Sequence, residues 1–480
     1  MHDKEKDLID AYIRGQVSRR GLIRGLGAMG VTAAAAGVMV NAAATRALAQ
    51  NGFDWRRHEG ESIKLLLNKH PYSDAMIANL ENFKELTGMD VTYDVFPEDV
   101  YFERVTAALS SRSSEYDAFM TGAYMTWTYG PAGWIDDLDP YISDASKTNP
   151  DYDFGDMLEG VVRSCAWNGQ PGGELGGEDA KQWCLPLAYE QNNLTYNQRM
   201  FDAAGLSVPG NLDELMDTAA AAKAQADVSY GIGVRGSRSW ATIHPGFLSG
   251  YANYGQKDLN ISDDGMLSAA MNTDVSKDYH AKWVKMIQES GAPDWSTHTW
   301  YQVGNDLGAG NSAMIFDADI LGYFQNGGTA EAGNLAYAPF AANPEASAPT
   351  PNIWIWAMSM SSFSGRKDPT WYFLQWVTGP EHQLFGAREM DLVNPARRSV
   401  WADEMFREKL SLSYPGYVEM HDVSAPGASI KFTPQPLFFD LTTEWAAMMQ
   451  RMVAGEVPVD EGLDQLAESV NAQLKDAGLG

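Results

Sequence analysis

Short aliphatic runs bounded by turn residues alternate with segments of helical period along most of this 480-residue chain, and that alternation limits its fold more than any single motif. Ser62-Ile63-Lys64-Leu65-Leu66-Leu67 reads as a buried strand closed by a turn at His70-Pro71. Ala75 to Leu86 then carries apolar residues at helical spacing and stops at Thr87-Gly88. A strand over Val91 to Val95, a helix over Val100 to Leu109 and a strand over Tyr116 to Met120 repeat the unit. Further strands are predicted at Asn193 to Tyr196, Tyr230 to Val234, Ala313 to Phe316 and Trp354 to Ser359. Helices are predicted over Leu212 to Ala224, Tyr279 to Ser290, Thr370 to Val377, Glu381 to Glu389, Leu441 to Val453 and Val459 to Leu474. Strands joined through helices pair in parallel and bury both sheet faces. The predicted class is therefore α/β, with mostly parallel sheets covered by helices.

The N-terminus reads as an export signal. Ser18-Arg19-Arg20-Gly21-Leu22-Ile23-Arg24 sets two arginines before aliphatic residues, and a mild apolar run from Leu26 to Val40 ends in Ala47-Leu48-Ala49. This is the layout of a twin-arginine signal over residues 1–49, cut before Gln50. The run is about 15 residues, short of the roughly 20 that span a bilayer. Seven Lys/Arg and four Asp/Glu precede Gln50, so the remaining chain carries a net charge of −31 against −28 for the whole. That charge argues against nucleic acid or anionic lipid as partners, and the expected location is the periplasm. The two cysteines, Cys165 and Cys184, read as one disulfide closing the Gly-rich excursion Gln170 to Gly177. Neither CxxC spacing nor a nearby histidine suggests a metal.

Gly231-Ile232-Gly233-Val234-Arg235-Gly236 matches the dinucleotide fingerprint, but its glycines lie within a strand and no helix pattern follows. The eight histidines lack metal-ligand spacing, and no nucleophile elbow is present. Asp317 and Asp319 could pair as glycosidase carboxylates, although carboxylates are abundant. Aromatic residues say more. Tyr124, Trp127, Trp240, Trp354 and Trp356 fall at strand ends, where open α/β sheets bind ligands. Flat rings cover the CH face of a sugar, and polar side chains satisfy its hydroxyls. Each could equally be core, and Trp354 and Trp356 share a strand face that fits either use.

Four stretches, in order, resemble the family 1 extracellular solute-binding proteins, the sugar receptors of ABC importers. They are Asn192 to Leu206 with Asn211 to Leu215, Ala313 to Asp317, Trp371 to Glu381, and Asn394-Pro395-Ala396-Arg397-Arg398-Ser399-Val400. The resemblance runs from about Ile63 to the C-terminus. It implies two Rossmann-like lobes of the type II periplasmic binding protein fold, joined by a hinge, with the ligand taken up at a closing cleft. Crossings are expected near Leu185 to Gln191 and near Phe316 to Asp319, with a return after Met358. The implied lobes are residues 61–187 with 317–358, and 188–316 with 359–480. The implied ligand contacts are Lys69, His70, Tyr72, Tyr124, Trp127, Glu190, Arg238, Trp240, Asp317, Asp319, Trp354, Trp356 and Arg397. Ile320 stands where the family often has Trp, and Trp354 and Trp356 match a Gly-Trp-Gly segment without its glycines. The expected function is capture of a sugar or polyol by a monomer that delivers it to membrane permease subunits, with no cofactor, metal or catalytic residue. The alternatives are a secreted carbohydrate-active enzyme and a receptor for polyamines or other small cations, in which Glu190, Asp317 and Asp319 would box an ammonium.

Overall fold

The computed structural model describes residues 3–13, 17, 19–29, 31, 39, 53–325 and 328–480; the expected cleavage point after Ala49 lies outside them. The chain divides into two units, residues 1–166, 181–188 and 356–403 in the first, and 167–180, 189–355 and 404–480 in the second. One boundary, between Ala188 and Tyr189, falls inside the expected Leu185 to Gln191 crossing. The crossing expected near Phe316 to Asp319 is absent, and the lobe limits differ accordingly: 317–355 belongs to the second unit and 359–403 to the first. The cause is local pairing. Strand Ser312–Ala318 is bonded along both edges, antiparallel to residues 192–196 and parallel to Tyr230–Gly233, and it leads straight into helix Asp319–Gln325.

In the first unit, strands Asp90–Phe96, Ser62–Asn68 and Ala118–Gly122 lie side by side in parallel. Residues 356–360, the second part of strand Ile353–Met360, pair antiparallel to Ala118–Gly122, with Met358 opposite Met120. The central strands are almost wholly buried, whereas Asp90–Phe96 is an edge. Tyr101 locks helix Glu98–Ser110 down, its hydroxyl 2.8 Å from the Leu66 carbonyl and 2.6 Å from that of Met120. The helix expected over Ala75 to Leu86 is two, Pro71–Ala78 and Leu80–Thr87. It breaks at Asn79, whose side chain bonds the His382 ring at 2.9 Å. The second helix ends at Gly88 in the left-handed region, φ 72°, where only glycine is unstrained.

The second unit builds its sheet from Tyr230–Gly233, Ser312–Ala318, residues 189–197 of the long strand Leu185–Asn197, and Leu335–Ala338. Helix Leu212–Gln225 starts on Asn211, which accepts the Glu214 N–H, and Asp274–Ser290 starts on Thr273, which accepts that of Ser276. Phe247, Tyr251, Tyr279, His280, Trp283 and Trp445 form one buried ring cluster, so these aromatics are core. The glycines of the apparent dinucleotide fingerprint serve packing. A Cβ on Gly231 would stand 1.9 Å from the Ala219 carbonyl oxygen, and one on Gly236 would stand 2.1 Å from that of Trp295. No helix opens after them; the next turn is the short Trp240–Thr242.

Cys165 and Cys184 stand as free thiols. Both are buried, and burial with the Cys184 side-chain hydrogen bond raises the Cys165 thiol well above its ordinary range. The backbone keeps them close, with Trp183 N–H donating to the Cys165 carbonyl at 3.2 Å. The Gly-rich excursion between them belongs to the second unit, where Gly172 N–H donates to Pro434.

Candidate functional site

Each unit carries an aromatic cluster at the C-terminal ends of its strands, where a parallel sheet leaves loops and open backbone groups. In the first unit the strand Ser62–Asn68 ends, Lys69 N–H bonds the Phe96 carbonyl, and His70 caps helix Pro71–Ala78. The cap is reciprocal. His70 Nδ1 accepts from Tyr72 N–H at 3.3 Å, and His70 N–H donates to Ser73 Oγ at 3.2 Å. Burial drops the His70 pKa to about 3, so the ring is neutral and fit to accept that bond. The His70 ring lies 4.4 Å from Tyr72 and 5.0 Å from Trp356, and Phe102 stacks on Trp356 at 5.9 Å. After Ala118–Gly122, Tyr124 and Trp127 meet edge to face at 5.1 Å.

Asn68 stands at the end of the first strand with none of its surface exposed. Among the described residues neither its Nδ2 nor its Oδ1 finds a partner. Leaving such a carboxamide dry and unpaired costs on the order of 1–3 kcal/mol per group. A group that both donates and accepts, such as a hydroxyl, would satisfy it.

The second unit places Trp240 against His244 at 5.4 Å, Trp354 at 5.4 Å and Phe439 at 5.3 Å. Beneath them Arg235 holds Asp317 in a fork, with Nη2–Oδ1 at 2.7 Å and Nε–Oδ2 at 3.0 Å. Arg235 Nη1 also reaches His244 Nε2 at 3.2 Å. Burial, and then the Arg235 charge, push His244 well below its ordinary range. Glu190 is buried and shares its strand face with Asn192, whose side chain donates to the Asn352 carbonyl at 2.8 Å and the His244 carbonyl at 3.4 Å.

Several residues expected to face a ligand are engaged otherwise. The Asp317 carboxylate is taken up by Arg235 and by the Ala318 N–H at 2.7 Å. Asp319 accepts from Gln191 N–H at 3.3 Å and from the Tyr417 hydroxyl at 3.1 Å. A buried carboxylate must be paired, and these two are satisfied from within. Lys69 turns outward to Asp74, 2.8 Å away, and Arg238 is exposed. Arg397 is a buried structural pin, with Nε donating to the Thr378 carbonyl at 2.7 Å, Nη1 to that of Asp153 at 2.9 Å, and the guanidinium 5.0 Å from the Tyr152 ring centroid. Sequence reasoning missed Asn68 and Arg235. Asn68 was legible as the polar end of an aliphatic strand, and Arg235 was hidden inside a motif read for its glycines. Among the described residues no group of three or more His, Cys, Asp or Glu could hold a metal ion, and no helix is long and apolar enough to cross a membrane.

Known proteins share both sequence and fold with this chain. The erythritol/L-threitol-binding protein of Mycolicibacterium smegmatis is 36% identical over 452 residues, covering 92% of this chain and 94% of that one. An ABC transporter solute-binding protein of Agrobacterium vitis, solved with D-mannitol, superposes with a TM-score of 0.69 at 19% identity over 87% of this chain and 99% of its own. One from Agrobacterium radiobacter, solved with ribitol, gives 0.68 at 18% identity over 86% and 99%. These likenesses fix the architecture as the two-lobed α/β fold of periplasmic binding proteins, type II. The family model for bacterial extracellular solute-binding proteins matches residues 69–384, and with the identity above it shows that this chain is a member of that family.

Proposed function

We propose that the chain captures a short polyol outside the cytoplasm and delivers it to the permease of an ABC importer. The observation that carries the proposal is Asn68, a buried carboxamide without a partner among the described residues, set on the same turn as the neutral His70 and its ring neighbours. That combination wants hydroxyls and CH faces, not a charge. A relative named for erythritol/L-threitol, and solved structures of like fold holding D-mannitol and ribitol, support the ligand class. His70, Tyr72, Tyr124, Trp127 and Trp356 of the first unit and Glu190, Trp240 and Trp354 of the second are the proposed contacts, with Asn68 and Arg235 added. The two units are proposed to act as lobes joined by a hinge, and the receptor works as a monomer, one solute per chain.

Asp317 is held by Arg235 and Asp319 by Gln191 N–H and the Tyr417 hydroxyl, so neither is free to box an ammonium, which weighs against a polyamine. The satisfied state of Asp317 and Asp319 weighs against a glycosidase, which needs carboxyls free to reach its substrate. Export by the twin-arginine route into the periplasm, with cleavage before Gln50, completes the reading. Titration with erythritol, L-threitol, ribitol, D-mannitol, maltose and putrescine, followed by tryptophan fluorescence and calorimetry, tests the ligand class. Saturable binding of at least one polyol with no heat from putrescine is expected. Silence with every polyol together with binding of putrescine would overturn it. Replacing Arg19 and Arg20 by Lys tests the route, and the precursor should then stay in the cytoplasm.

A further inference from the structure

The N-terminal segment folds as a helical hairpin. Helices Asp3–Ile13 and Arg19–Ala28 close on a small core of Ile9, Tyr12, Leu22 and Leu26. They approach so nearly that a Cβ on Gly25 would stand 2.3 Å from Leu8 Cδ2. Helices of 11 and 10 residues are marginal in water on propensity alone, so the hairpin needs a surface to hold it.

The first unit supplies that surface. A groove of about 600 Å³ is walled by Trp55, Leu86, Trp376, Leu384 and Val400, and Ile23 of the second helix lines it with them. At its rim the Tyr12 hydroxyl donates to Asp151. Ile23 nevertheless remains 46% exposed, so the seat is shallow.

We infer that this groove is the docking surface of the N-terminal hairpin, and that docking reports whether the first unit has finished folding. The walls come from opposite ends of that unit's sequence. Trp55 and Leu86 precede the chain's long passage through the second unit, and Trp376, Leu384 and Val400 follow it. No stretch alone makes the groove, so the hairpin has nowhere to dock until the chain is complete to about Val400 and packed. An ordered helix beginning at Arg19 then marks a folded precursor. The use of that mark rests on the export reading, whereas the docking itself does not.

Amide hydrogen exchange on the full-length chain, N-terminus intact, tests this. The amides of helices Asp3–Ile13 and Arg19–Ala28 are expected to exchange at least about tenfold more slowly than unstructured amides. Ile23→Asp, and separately Leu384→Asp from the groove side, should abolish that protection while the strand Ser62–Asn68 and the melting temperature stay as in the parent. Unstructured rates for both helices in the parent, or protection that survives both substitutions, would overturn the inference. Polyol titration of the same samples keeps loss of docking separate from failure of the receptor reading.

Discussion

Arg235, just past strand Tyr230–Gly233, and Asp317 of the neighbouring strand Ser312–Ala318 form a buried fork, with Nη2–Oδ1 at 2.7 Å and Nε–Oδ2 at 3.0 Å. Removing one partner leaves a charge buried in low dielectric, a loss of about 3–5 kcal/mol. Arg235→Ala should therefore lower the urea midpoint strongly, and Arg235→Met with Asp317→Leu should recover most of the loss. Equal destabilisation in the single and double variants would contradict this.

Asn68→Leu should separate binding from stability. Two unpartnered polar atoms disappear, so the melting temperature should hold or rise, while polyol affinity falls by about tenfold or more, the equivalent of roughly 1.4 kcal/mol. Calorimetry beside thermal melts reads both.

Acid should weaken the fold. Burial lowers His70, His382 and His421 to about 3 and His280 to about 4, below the ordinary 6.5. The unfolded chain binds protons these rings refuse, so their contribution is whole above pH 6.5 and is lost as pH falls toward 3. Asp258, raised to about 6 by burial, works the other way, its share being lost as pH rises through 6. Four groups outweigh one. Melts between pH 7 and pH 4 should show falling stability, and His382→Asn should flatten the slope by close to one proton.

Once exported, Cys165 and Cys184 should be joined. Thiol titration of the unfolded, unreduced protein should find none, and reduction should lower stability by roughly 3 kcal/mol. A Cys165→Ala/Cys184→Ala variant should melt like the reduced form, and two titratable thiols in secreted material would refute the pairing.

Gly236→Ala should destabilise the second unit, because the new Cβ would meet the Trp295 carbonyl oxygen at 2.1 Å. Dinucleotides should leave the melting curve of the parent protein unmoved.

The strands and helices were legible because their signals are local. Leu65 to Leu67 and the apolar face of Leu212 to Ala224 announce themselves by period alone, and the structure bears out both elements. Partnership was not legible. Asp317 and Asp319 look alike in sequence, and only the fold shows that one meets Arg235 and the other Tyr417, 98 positions away. For the same reason Arg397 reads as a ligand contact beside Asn394 and Pro395, yet its hydrogen bonds run to Thr378 and Asp153. The break at Asn79 depends on His382, about 300 residues downstream, which no helical period can reveal.

The chain passes from one unit to the other five times, at 166/167, 180/181, 188/189, 355/356 and 403/404. Neither unit is thus encoded by one uninterrupted stretch of gene. A single recombination between relatives would splice fragments of both units and leave two hybrids, and exchanging one whole unit would take a crossover at every one of these boundaries.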